Sequence, residues 1–284
     1  MTITGPIMLI TDLSARCDRA MDRAIGLAKD NDVGLVVLHV MDTPWLTRLA
    51  KPDWQRQQQD HMEQARARLQ HDLADQAVDV DLQIEKGNPV EVIEQVATAK
   101  QCSLIVCGTA RDETLGRVVL GNTVERLARR VHTPLLIVRH RPHNPYTDVI
   151  VATDFSKGSA QALTTAKQLF GDAAVTLYHA FNEVAGIYEL DQPTVVEQVK
   201  ALEQQAQTFV QTTLSTQPAD LSVVIEHGLV TQTLPARVAA TSIKVVALGT
   251  HGATGIVRMA MGSVAETLLE KLNCDVLIVP QAAA

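Results

Sequence analysis

The sequence contains the same pattern twice, and this duplication limits the possible fold more than any other feature. Thr-Asp-x-Ser follows an apolar run around Asp12 and again around Asp154. Later landmarks, such as His39 and His179, recur in the same order at offsets of 140 to 142 residues. A repeat of this length is a whole domain, because the units of solenoid proteins are much shorter. The sequence therefore predicts two tandem copies of the same domain.

Each copy alternates apolar runs of strand length with helical patterns. In the second copy the predicted strands are Val149–Ala152, Ala174–Ala180, Leu221–Glu226, Val245–Gly249 and Val276–Val279. Between the second and third strands, an apolar face from Val195 to Thr213 predicts an amphipathic helix. Strands that are apolar throughout and separated by helices indicate a parallel sheet with both faces covered. The expected fold is two tandem doubly wound α/β domains.

The predicted domains are residues 1–140 and 148–284, and residues 141–147 are the predicted linker. The joint between the copies, Arg139 to Thr147, contains two prolines and mostly polar residues. This composition favours a short exposed connection.

Composition excludes several classes of protein. Hydrophobic residues make up 46% of the chain and charged residues 20%, which is typical of a folded globular protein. No apolar stretch approaches the ~20 residues that cross a bilayer, and the N-terminus lacks the features of a signal peptide, so we expect a cytoplasmic protein. Up to residue 143 the chain has 18 basic and 19 acidic residues, but beyond it 7 and 13, which argues against nucleic acid as a partner. The cysteines lack C-x2-C spacing and the histidines lack metal-ligand spacing, so we expect no metal held by the protein itself.

A glycine-rich segment, Gly249 to Ser263, begins at the end of a predicted strand and leads into a predicted helix. Glycine at Gly249 and Gly252 allows positive φ and close approach of the backbone to a ligand. Gly262 and Ser263 fall at the helix start, where free N–H groups attract anions. The alternative is that the glycines only turn the chain and that Ser263 caps the helix.

Asp154 ends the first predicted strand of the second copy, and Gly249 ends the fourth. Ligands of open parallel sheets bind where the winding reverses, which brings the loops after these two strands together. An acidic residue facing an anion-binding loop is expected of a nucleotide site, although Asp154 alone has a second interpretation as a helix N-cap. The sequence has neither the GxxxxGK[ST] nor the GxGxxG signature.

The segment resembles the G-x2-G-x9-G-[S/T] motif of ATP-binding universal stress proteins, with Gly249, Gly252, Gly262 and Ser263 at the motif positions. The resemblance covers essentially the whole chain and is closest in type to tandem, UspE-like members. It implies five-stranded parallel sheets of order 3-2-1-4-5 with helices on both faces, similar to the adenine nucleotide alpha hydrolase fold. It also implies an ATP site in the second domain, with any Mg²⁺ arriving on the nucleotide. The implied binding residues are Ala152, Thr153, Asp154, Ala180, Leu248, Gly249, His251, Gly252, Gly262, Ser263 and Val264.

The first copy departs from this motif. It keeps Asp12, Gly108 and Gly121, but has Arg111 in place of Gly252 and Asn122 in place of Ser263. A side chain where the backbone must approach phosphates favours a silent first site, with Asp12 retained as a helix cap. The alternative is a bidentate phosphate contact from Arg111.

No nucleophile paired with a base is evident near the glycine segment, so the sequence predicts a nucleotide-binding protein that is at most a weak ATPase. The expected role is in stress response or signalling. The alternative is a scaffold or small-ligand binder that works through protein contacts. The resemblance further implies that the last strands, Leu135–Val138 and Val276–Val279, pair within the chain, and that the protein forms a homodimer. We expect His39 and His179 to be structural, and Trp45 and Trp54 to cover apolar surface.

Overall fold

The computed structural model describes residues 3–15, 17–41, 54–74, 76–112, 117–119, 122–130, 132–182, 195–215, 218–250 and 261–281. For residues 54–58, 110–112, 117–119 and 122 it describes the backbone alone. The chain divides into two compact units, Met1–Pro145 and Tyr146–Ala284.

The first unit alternates strands and helices along most of its length. Its strands are β1 (Ile7–Thr11), β2 (Leu35–Met41), β3 (Val80–Lys86), β4 (Leu104–Gly108), β5 (Ala110–Asp112), β6 (Arg117–Val119) and β7 (Leu135–Val138). Its helices are α1 (Asp18–Asn31), α2 (Trp54–Leu73), α3 (Pro89–Ala99) and α4 (Asn122–Arg130). Five of these strands form a parallel sheet in the order β3-β2-β1-β4-β7. β5 and β6 form a separate antiparallel pair.

The second unit repeats this arrangement. Its strands are β8 (Asp148–Ala152), β9 (Ala174–Phe181), β10 (Leu221–His227), β11 (Val245–Gly249) and β12 (Asp275–Val279). Its helices are α5 (Lys157–Leu169), α6 (Val195–Leu214), α7 (Val230–Ala240) and α8 (Ser263–Lys271). The strands are parallel in the order β10-β9-β8-β11-β12. Both units therefore have the predicted order 3-2-1-4-5, and the α/β fold class is confirmed.

The central strands form the core of each unit. In β8, Val149, Ile150 and Val151 are at most 1% exposed, and in β11 Val245, Val246 and Ala247 are fully buried. Because successive side chains of a strand point to opposite faces, burial of consecutive residues requires cover on both sides of the sheet. This explains why these strands are apolar throughout.

The amphipathic face of α6 lies largely where the sequence predicts it. Ala206 and Phe209 are buried and Thr213 is half-buried. Val195, at the N-terminal end of the predicted face, is instead 43% exposed. The buried face therefore does not extend to the first turn of the helix. Among the described residues, no helix is both long enough and apolar enough to span a membrane.

The joint between the units is less exposed than its composition predicts. Arg139 is 3% exposed, and its carbonyl accepts a hydrogen bond from Arg19 Nη1 at 2.6 Å. Tyr146 is 6% exposed and donates to Asp275 Oδ2 of β12 at 2.6 Å. The intervening residues, such as His143, are mostly exposed as expected. The prediction of an exposed joint is thus wrong at Arg139 and Tyr146, because each of them is hydrogen-bonded to a residue more than a hundred positions away.

Candidate functional site

The winding of the second sheet reverses between β8 and β11. β8 connects through α5 to β9 on one side of it, whereas β11 lies against its other side. In the register of these parallel strands, Val151 pairs with Ala247 and Ala152 pairs with Tyr178. The turn after β8, the end of β9 and the end of β11 therefore lie at the same edge of the sheet. This edge is where ligands of doubly wound folds bind.

The turn that follows β8 is fixed by a set of short hydrogen bonds. Thr153 is 8% exposed; its hydroxyl accepts from Phe155 N and donates to Ser159 Oγ, both at 2.9 Å. Asp154 Oδ1 accepts from Ser156 N at 3.1 Å. Phe155 takes φ of 61°, in the left-handed region that bulky residues rarely adopt. These contacts hold the Asp154 carboxylate at the edge of the sheet, where it is exposed.

Asp154 is not the N-cap of the helix that follows. The cap is Ser156, whose hydroxyl accepts from Ser159 N at 3.3 Å before α5 begins at Lys157. The capping interpretation of Asp154 is therefore wrong, because the cap is the serine of the Thr-Asp-x-Ser pattern, two residues further along the chain. The carboxylate stabilises the turn and leaves the cap to a serine.

Gly249 is required by packing rather than by an unusual backbone conformation. Its φ does not lie in the positive region that glycine would allow. A Cβ at this position would lie 2.8 Å from both the carbonyl carbon and the carbonyl oxygen of Gly158, and 3.2 Å from Ser159 N. The end of β11 thus packs directly against the first turn of α5. Leu248 beside it is 3% exposed and Ala152 is half-buried.

The two ends of the glycine segment meet at one hydrogen bond. Gly262 N donates to the carbonyl of Thr250 at 2.9 Å, and Thr250 N donates to the carbonyl of Val279 at 3.0 Å. Gly262 is the N-cap of α8, and Ser263 is its first residue. The alternative in which Ser263 caps the helix is therefore wrong, whereas the predicted helix start is where the sequence indicates.

Most of the remaining predicted residues of this site lie at the same edge. Ser263 is exposed, Val264 is 49% exposed, and Ala180 is the second-last residue of β9. His251 and Gly252 lie outside the described residues. The structure thus brings together the ends of three strands and the start of one helix, which is the framework that the motif requires.

The first unit has the same turn with a different set of contacts. Asp12 Oδ1 accepts from Ser14 N at 2.9 Å and from Cys17 Sγ at 3.1 Å. The N-cap of α1 is Cys17 and not Asp12, so the prediction of a capping role for Asp12 is wrong. Burial acts to raise the pKa of Asp12, but the interactions with Ser14 and Cys17 outweigh it and lower this pKa. Burial and the neighbouring Asp12 raise the pKa of the Cys17 thiol.

The segment after β4 of the first unit contains a hairpin that the sequence analysis missed. Gly108 ends β4, and Arg111 lies in β5, paired with Val118 of β6. Asn122 is the first residue of α4, in the position that corresponds to Ser263. Gly121 lies outside the described residues, as does Trp45. The structure describes only the backbone of Arg111, Asn122 and Trp54.

Three residues that sequence reasoning did not single out support the candidate site. Ser156 caps α5, Ser159 bonds to Thr153, and Gly158 makes the close contact with Gly249. All three occur within five residues of Asp154, in the segment Ser-Lys-Gly-Ser. A serine followed two residues later by a glycine at a predicted helix start is a signal for a capped helix that packs closely, and this signal was available in the sequence.

A groove of about 450 Å³ lies beside the candidate site, between α5 and α6. Its lining includes Phe155, Ala160, Phe209 and Thr212. It reaches the turn after β8 only through Phe155 and Ser156, so it is distinct from the edge that Asp154 and Gly249 occupy.

Comparison with known proteins agrees with this architecture. The sequence profile of the universal stress protein family matches residues 4–139 and again residues 145–280. A universal stress protein of Methanocaldococcus jannaschii is 27% identical over 137 residues, which are 47% of this chain and 81% of that protein. The crystal structure of a universal stress protein from Archaeoglobus fulgidus covers 99% of this chain and 100% of its own, with a TM-score of 0.71 and 19% identity. A structure from Pseudomonas aeruginosa, described as that of a universal stress protein, has a TM-score of 0.67 and 20% identity, and covers 97% of this chain and 93% of its own.

The chain therefore belongs to the universal stress protein family and carries two family domains in tandem.

Proposed function

We propose that the second unit binds ATP, or a related adenine nucleotide, and that the protein acts in stress response or signalling. The observation that carries this proposal is the position of the G-x2-G-x9-G-S pattern. Its described ends, Gly249 and Gly262–Ser263, lie at the edge of the sheet where the winding reverses, beside the exposed carboxylate of Asp154.

The charge of the unit constrains how a phosphate would be held. The second half of the chain has 7 basic and 13 acidic residues, so a basic surface does not attract the anion. The first N–H groups of a helix have no intrahelical partner, and together with the helix dipole they favour an anion. The start of α8 at Ser263, preceded by a glycine cap without a side chain, leaves these groups accessible to phosphate. Mg²⁺ would arrive with the nucleotide and reduce its charge next to Asp154.

We expect the first unit to bind no nucleotide. Cys17 Sγ donates to Asp12 Oδ1 there, whereas Ser159, at the corresponding position of the second unit, bonds to Thr153 instead. The first carboxylate is therefore engaged by a thiol from its own helix. Together with Arg111 in place of glycine, this contact favours a single site per chain.

Calorimetric titration of the whole chain with ATP and Mg²⁺ tests the proposal. We expect about one site per chain, and we expect the variant Gly252→Arg, which copies Arg111 of the first unit, to remove it. Gly171→Arg is the matched control: it adds the same cation to the same unit at a glycine with no atom within 4 Å of an added Cβ, so affinity should not change. The absence of binding at millimolar ATP, or two equal sites, would contradict the proposal.

Bound ATP should also raise the stability of the second unit by mass action, by about 2.7 kcal/mol when ATP is at 100 times its dissociation constant. Sustained release of phosphate that is lost in Asp154→Ala would instead favour a weak ATPase. Binding without sustained turnover is the expected result of this assay, because phosphoryl transfer depends on positioning and charge stabilisation beyond nucleotide binding alone.

The alternative function, a scaffold or small-ligand binder, is favoured by the groove between α5 and α6. Its volume lies within the range of small-molecule sites, which is about 300–1,000 Å³. A thermal-shift screen of small aromatic ligands distinguishes the two functions. A ligand whose effect is lost in Phe209→Ala but kept in Gly252→Arg would support the alternative.

We further propose that the chain is cytoplasmic, that β7 and β12 pair within it as last strands, and that two chains form a homodimer. Light scattering of the purified protein tests the dimer, which should have twice the mass of the chain. A monomer across the micromolar range would contradict it.

A further inference from the structure

The second strand of each unit ends in a histidine that makes the same contact. His39 Nδ1 lies 2.8 Å from the carbonyl oxygen of Thr11, and His179 Nδ1 lies 2.8 Å from that of Thr153. A carbonyl oxygen only accepts hydrogen bonds, so Nδ1 carries the proton in both rings. Both units thus have the same hydrogen bond from the end of the second strand to the turn after the first strand.

In the second unit this bond acts on a turn that needs support. The Phe155 backbone has φ of 61°, a conformation that costs a bulky residue energy and persists only where neighbouring groups fix it. The ring of His179 lies against that of Phe155, with centroids 4.5 Å apart and planes inclined by 31°. Phe209 also contacts the ring of Phe155, edge-on, with a centroid distance of 5.6 Å. The histidine therefore fixes both the carbonyl before Asp154 and the side chain after it.

We propose that His179 is a positioning residue: its Nδ1–H holds the Thr153 carbonyl and thereby sets the place of the Asp154 carboxylate for nucleotide. His39 has the same structural part in the first unit. This inference rests on the proposed function of the second unit and names a residue that acts through the turn without touching the ligand.

Two nearly isosteric variants separate the N–H group from the size of the side chain. Asparagine carries its amide N–H at the same number of bonds from Cβ as Nδ1, whereas glutamine carries it one bond further out. We expect His179→Gln to weaken ATP binding about threefold to tenfold, the effect of one hydrogen bond. His179→Asn should restore affinity to within about twofold. His39→Gln, the matched control, makes the same change in the first unit and should leave ATP affinity unchanged.

A second measurement works without any ligand. Phe155 N and Ser156 N are bonded within the turn, to Thr153 Oγ1 and Asp154 Oδ1. Amide hydrogen exchange at these two positions should accelerate about threefold to tenfold in His179→Gln and stay as in the parent protein in His179→Asn. Nitrogen NMR of the ring should show the proton on Nδ1 of His179 in the parent protein.

These measurements distinguish the two ways of failing. If the parent protein binds no ATP but exchange follows the asparagine and glutamine pattern, His179 still fixes the turn and the proposed function fails. If ATP binds but His179→Gln changes neither affinity nor exchange, the positioning role is overturned. An asparagine variant as impaired as the glutamine variant also overturns it, since the ring and not the N–H would then be what matters. If His179→Gln does not fold, recovery of folding and affinity in His179→Asn decides the question.

Discussion

Replacement of Gly249 by alanine tests the contact that positions α5 against β11. The added Cβ would lie 2.8 Å from two backbone atoms of Gly158, about 0.6 Å short of the 3.4 Å at which ordinary contacts begin. Because both neighbours are backbone, the clash cannot be relieved by rotating a side chain. The first turn of α5 must move away from the sheet.

The free energy of this change follows from two terms. Overpacking of a buried contact costs about 1–3 kcal/mol. Ser159 moves with the helix, so its 2.9 Å hydrogen bond with Thr153 is stretched, at a further cost of about 1 kcal/mol. We therefore expect Gly249→Ala to lower the free energy of unfolding of the second unit by about 2–4 kcal/mol.

Urea denaturation followed by circular dichroism measures this loss, and amide hydrogen exchange assigns it to the second unit. Gly171→Ala is the control in the same unit: no atom lies within 4 Å of its added Cβ, and it should be neutral or stabilising by up to about 1 kcal/mol. If Gly249→Ala unfolds within 0.5 kcal/mol of the parent protein, an estimate of assay error, the packing argument is refuted.

Two further predictions concern the carboxylate of Asp12 and the hydrogen bond between Tyr146 and Asp275. The pKa of Asp12 is lowered in the folded protein, so its contribution to stability is full above the ordinary pKa of 3.8 and is lost as pH falls through the lower, folded pKa. The stability difference between the parent protein and Asp12→Asn should therefore be constant above about pH 5 and shrink below about pH 4. A difference that grows on acidification would contradict this prediction. Tyr146→Phe removes a 2.6 Å hydrogen bond to the buried Asp275 and should destabilise the second unit by about 1–3 kcal/mol in urea denaturation, whereas an unchanged midpoint would show that the bond contributes nothing.

The elements were predictable because their signals are local. The apolar run predicted as Val245–Gly249 is the strand β11 with the same bounds, and Leu221–Glu226 differs from β10 by one residue. The strand order followed from the family resemblance and is confirmed in both units. Helix starts were harder to predict, because aspartate and serine both commonly cap helices and both occur in each Thr-Asp-x-Ser turn. Only the structure shows that the N-caps are Cys17 in the first unit and Ser156 in the second.

The location of the candidate site was predictable from the sequence, but the contacts that hold its residues in place were not. The motif located Gly249 and Gly262–Ser263 at a strand end and a helix start, where the structure has them. The packing reason for glycine at Gly249 could not be predicted, because it depends on Gly158, ninety-one positions earlier in the chain. No local pattern contains that information.

By itself the sequence determined the duplication, the α/β alternation and the place of the glycine motif, since each is a matter of spacing along the chain. Only the tertiary structure decided which groups fix the site: the contact of Gly249 with Gly158, the bond from His179 to Thr153, and the anchoring of Arg139 by Arg19. These contacts join residues of different strands and helices. They exist only once the sheet has aligned its strand ends at one edge, and so they are properties of the fold and not of any segment.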